Sequence, residues 1–61
     1  MKGYIVDLSE CSDSDRQKYE RIIDLGFDTY DIAGQPFCYE VMWDRKEPLT
    51  DLIPPELVRA L

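Results

Sequence analysis

The run Phe37-Cys38-Tyr39-Glu40-Val41-Met42-Trp43 constrains the fold more than any other stretch of the chain. It is the densest β-forming segment, and it alternates: Phe37, Tyr39, Val41 and Trp43 point one way, Cys38, Glu40 and Met42 the other. Aromatic and β-branched side chains suit a pleated surface, so the pattern predicts the middle strand of a sheet. The length of 61 residues sets the scale, one domain over residues 1–61. A domain this short buries only about 60% of the surface its unfolded chain exposes, so every apolar contact counts. A hydrophobic fraction of 44% places it among folded chains despite a net charge of −6.

The other elements follow from period and punctuation. Gly3 to Leu8 alternates as a first strand, with Tyr4, Val6 and Leu8 on one face and Ile5 and Asp7 on the other. Ser14 with Gln17 fits a capping box, and Ser12 with Asp15 fits a looser one. A helix is expected over residues 13–25, with Tyr19, Ile22 and Ile23 as its apolar stripe. Gly26 reads as its left-handed stop. Phe27 to Ile32 reads as a second strand, with charges that suit an edge. Ala33-Gly34-Gln35-Pro36 turns the chain back into the central run. After the charged loop at residues 44–48, Pro54-Pro55 and Glu56 predict a short closing helix to Leu61.

Together these elements predict an α+β domain of order β-α-β-β(-α). It has a three-stranded antiparallel sheet of order 1-3-2, half of a ferredoxin-like arrangement, with one main helix and a short C-terminal helix. Order 1-2-3 ranks second, because it buries the polar strand in the centre. The segment 48–61 packs on the domain or serves a partner groove; the pattern leaves both open. The second sheet face is equally open. Ile5, Tyr30, Ile32 and Met42 form an apolar patch there, rimmed by Asp7, Asp28 and Glu40, unless Leu49, Leu52 and Ile53 fold over it.

Charge and composition exclude several functions. Thirteen acidic residues against seven basic ones repel a phosphate backbone, so no direct nucleic-acid binding is expected. Anionic membranes are disfavoured likewise, and no apolar run reaches the length of a membrane span. There is no histidine, hence no imidazole base, and Cys11 and Cys38 form no zinc-type pair. The chain is read as no enzyme, with no catalytic residue, cofactor or metal site. Without a visible signal sequence, a cytoplasmic location with reduced thiols is expected.

What remains is protein binding. Glu20 and Asp24 are like charges four residues apart on a helix, a pairing that destabilises by roughly 0.2–0.5 kcal/mol with no visible local gain. Asp13, Glu20, Asp24, Asp28 and Asp31 are therefore read as a negative ridge for a protein partner with a basic surface, one that itself binds nucleic acid, which the chain inhibits or regulates. In this broad respect, and without a diagnostic motif, it is similar to small acidic phage proteins that switch off host enzymes. The alternative is an assembly module, a homodimer or subunit contact through the apolar patch Ile5, Tyr30, Ile32 and Met42 or an edge strand.

Overall fold

The computed structural model describes all residues, Met1–Leu61. Strand β1 spans Lys2–Asp7, helix α1 Asp13–Ile23, β2 Asp28–Asp31, β3 Cys38–Trp43 and β4 Val58–Ala60. Two 3-10 turns, Leu49–Asp51 and Pro55–Leu57, lie between β3 and β4. The sheet is antiparallel with order β2-β3-β1-β4.

The central run lies where its pattern predicts, between β1 and β2, and Val41 at its middle is fully buried. The expected three-stranded sheet of order 1-3-2 is corrected to four strands. The closing helix is cut back to the 3-10 turn Pro55–Leu57; Val58–Ala60 instead pairs with the free edge of β1, and the Leu61 amide donates to the Gly3 carbonyl at 3.0 Å. One isolated helical turn is marginal in water, whereas the β1 edge offers ladder hydrogen bonds to a β-branched residue such as Val58. β1 and β2 are both antiparallel to β3, so they run parallel with β3 between them. By the same logic β3 and β4 run parallel with β1 between them. The fold is thus two interleaved split units, the second crossed by 3-10 turns rather than a helix.

Helix α1 starts by the looser of the two capping patterns. The Ser12 hydroxyl accepts from the Asp15 amide at 3.2 Å, and Asp13 and Asp15 occupy the first turn beside the positive dipole end. The helix ends at Ile23, two residues earlier than expected, and Gly26 is not its left-handed stop. Gly34 is the one glycine with positive φ, 78°, in the β2–β3 turn. Gly26 is needed for a different reason. A Cβ there would lie 2.8 Å from the Trp43 ring and 3.0 Å from the Met42 carbonyl oxygen. Gly26→Ala is therefore expected to destabilise by about 1–3 kcal/mol through overpacking, read from urea unfolding; an unchanged midpoint would show that the ring yields freely.

The core is one cluster of Val6, Leu8, Ile23, Val41, Trp43, Leu49 and Ile53, all buried. Tyr19 and Ile22 of α1 pack against it, as do Leu52, Leu57 and Val58. The C-terminal segment thus joins the same side of the sheet as α1, and does not fold over the opposite face. Phe37, expected to begin the central strand, lies outside it with φ 60° and a 43% exposed side chain. Its carbonyl accepts from the Leu8 amide at 2.8 Å, and the Arg16 guanidinium stacks 4.2 Å from its ring centre. Those two contacts hold a backbone conformation that a bulky residue otherwise avoids.

Candidate protein-interaction surfaces

The acidic residues singled out by sequence fall in three places. Glu20, Asp24 and Asp31 come together, lining with Ile23, Thr29 and Tyr39 an open groove of about 320 Å³ between α1 and β2. Glu20 lies in α1, Asp24 caps its C-terminus, and Asp31 ends β2 directly opposite Tyr39 of β3. Asp13 lies about 10 Å further along the helix by its rise per residue, where it is paired with Arg16 at 2.9 Å. Asp28 is on the other face of the sheet, accepting from the Tyr30 hydroxyl at 2.6 Å and the Thr29 amide at 3.0 Å. The five do not form one continuous ridge.

Glu20 has a tertiary partner that offsets its unfavourable spacing from Asp24. The Tyr39 hydroxyl donates to its carboxylate at 2.5 Å. Burial, then the Glu20 hydrogen bond and charge, push the Tyr39 phenol up to about 12. A raised phenol pKa favours the folded state while the group is neutral. That contribution is complete below pH 10, the ordinary tyrosine value, and is lost as pH rises toward 12. Tyr39→Phe is expected to flatten the alkaline end of a stability–pH profile; a profile unchanged there would remove Tyr39 as its source. No signal in the sequence links residues 20 and 39; their meeting is tertiary.

The groove's charge is not neutralised from within. Only two ion pairs exist in the chain, Arg16–Asp13 and Arg45–Glu47, the latter at 4.0 Å. No three Cys, Asp or Glu side chains converge in a way that would hold a metal ion. The groove therefore presents carboxylates with no cation beside them.

The second surface is the sheet face turned away from the core. Directly paired residues share a face. Register therefore puts Ile5, Glu40, Tyr30 and Arg59 in one row, and Gly3, Met42 and Asp28 in the next. Asp7 and Cys38 follow on the far side. Ile5 and Met42 are half-buried by their neighbours alone, and Tyr30 is 51% exposed. Ile32, expected in this patch, lies past the end of β2. There it lines a separate recess of about 500 Å³ with Asp31, Pro36, Phe37 and Tyr39. Leu61 joins the patch, its side chain coming within 3.3 Å of where a Cβ on Gly3 would stand. The sequence pattern places it instead on the closing helix.

Asp7, on the rim, accepts from the Ser9 hydroxyl at 2.6 Å and the Ser9 amide at 2.9 Å, which hold its carboxyl below the usual range. A lowered carboxyl pKa stabilises the fold above the unfolded value near 3.8, and the benefit is lost as pH falls through the lower folded value. Asp7→Asn is expected to reduce acid sensitivity below pH 4 in a thermal-melt series; an identical acid limb would exclude Asp7 as a contributor. Burial pushes both thiols up, Cys38 further through its neighbour Asp7 and Cys11 through Asp15, so neither is an activated nucleophile.

Fold and surfaces together define a class, a small acidic α+β domain with a charged groove on one side of its sheet and an uncovered face on the other. No helix is long and apolar enough to cross a membrane. The chain matches no protein-family model and no curated protein, and its fold matches no solved structure.

Proposed function

We propose that the protein is an acidic protein-binding module, an inhibitor or regulator that engages the basic surface of a larger protein, such as one that itself binds nucleic acid. The observation that carries this reading is the convergence of Glu20, Asp24 and Asp31 on one open groove with no cation within ion-pair distance. A partner's lysine or arginine entering there meets uncompensated carboxylates, which favours fast, salt-sensitive association. Glu20 is held by Tyr39, so Asp24 and Asp31 are the residues to change without disturbing the fold. Capture of a partner from host lysate is expected to fade as salt rises and to be lost in the Asp24→Lys/Asp31→Lys double variant, with an unchanged circular dichroism spectrum. Capture that ignores both salt and charge reversal would sink the reading.

The uncovered sheet face favours a second reading, an assembly module held by apolar contact. Such association strengthens or holds at high salt. Sedimentation of the pure protein across a concentration series separates a self-associating chain from a monomer that waits for a partner.

A further inference from the structure

Coverage of the sheet is one-sided. Helix α1 and both segments that carry Leu49 and Ile53 bury the face of Val6, Val41 and Trp43, and no element lies over Ile5, Met42 and Tyr30. From this we infer that the uncovered face is a docking site for an amphipathic, lysine- or arginine-flanked helix of another protein. An antiparallel sheet often leaves one face to water, and that face is then polar; this one carries Ile5, Met42 and Tyr30. The apolar centre, Ile5 with Met42 diagonally beside it, matches the stripe of one helix, much as Val41 and Trp43 on the other face receive Ile23. Gly3, paired to Met42, lies under the Leu61 side chain, which extends the apolar centre toward β4.

Charge selects the occupant. Asp7 and Asp28 flank the apolar centre, Glu40 stands directly beside Ile5 and between it and Tyr30, and Arg59 is the one cation on this face. A second copy of the chain would bring an acidic rim against an acidic rim. A helix with basic flanks meets opposite charge on both sides of its stripe. This surface is independent of the groove, which lies on the other side of the sheet.

The test uses the full chain and a synthetic helix whose leucines recur three and four residues apart with lysines on both flanks. In an amide chemical-shift titration, the amides of Ile5, Glu40 and Met42 are expected to move while those of α1 stay. Met42→Gln removes apolar contact and Glu40→Lys reverses the charge beside Ile5; each is expected to weaken binding about tenfold. Circular dichroism melts check that both variants fold. Asp24→Lys/Asp31→Lys leaves this binding unchanged. Shifts confined to α1 and β2, abolished by that double variant, would overturn the inference while supporting the acidic groove. Absence of shifts anywhere would count against both. Concentration-dependent shifts of Ile5 and Met42 without peptide would assign the face to a second copy instead.

Discussion

Trp43→Ala is expected to bring the protein close to the edge of unfolding in water at room temperature. Trp43 is 3% exposed, belongs to the central cluster, and lies against Gly26. Its indole N–H donates to the Glu47 carbonyl at 2.7 Å, fastening the loop after β3. Removing a buried tryptophan destabilises by about 3–5 kcal/mol. At about 0.05–0.15 kcal/mol per residue, a domain of this length has about 3–9 kcal/mol in total. One substitution therefore consumes between about a third of the margin and all of it. Trp43→Phe keeps most of the ring contact and loses the hydrogen bond, an effect of about 1 kcal/mol. Urea unfolding followed by far-ultraviolet circular dichroism reads both, since the fluorophore is gone. A Trp43→Ala midpoint within error of Trp43→Phe would show that the indole packs far more loosely than the structure has it.

The second large effect lies in the tail. Leu49→Ala and Ile53→Ala are each expected to destabilise by about 2–5 kcal/mol, because both side chains are 1% exposed or less within the main cluster. Their effects will not add simply. The Ile53 amide donates to the Leu49 carbonyl at 3.0 Å, so loosening one shifts the other. Leu25→Ala, at a residue 53% exposed, serves as the contrast and is expected to stay within about 0.5 kcal/mol of the parent. If Leu49→Ala behaves like Leu25→Ala, the tail is an appendage and the core is smaller than described.

The legible parts of this fold were those written as local period. Residues 38–43 alternate over a strand that is buried on one side, so both its type and its central position followed from the pattern. The helix stripe Tyr19, Ile22 and Ile23 named its own contact face. The illegible parts depended on an edge or a neighbour far along the chain. Val58–Ala60 has no strand signal beyond one β-branched residue, and becomes a strand because β1 has unpaired amides and carbonyls beside it. Phe37 leaves the strand because Leu8 and Arg16 hold it elsewhere.

The candidate surfaces divide along the same line. The acidic excess and the two-faced character of β1 and β3 are properties of residue order, set before any folding. Which carboxylates stand together is not. Glu20, Asp24 and Asp31 meet because α1 crosses the sheet beside β2, and Asp28 is sent to the other face by the two-residue period of the same strand. Whether the Ile5–Met42 face is covered was likewise undecidable from order alone, since Leu49 and Ile53 carry the same apolar pattern whichever side they choose. The sequence by itself determined which stretches can be strand or helix and how much negative charge they carry, because period and composition are local. Tertiary structure alone decided the fourth strand, the groove and the open face, because backbone pairing and burial are settled only between segments that meet in space.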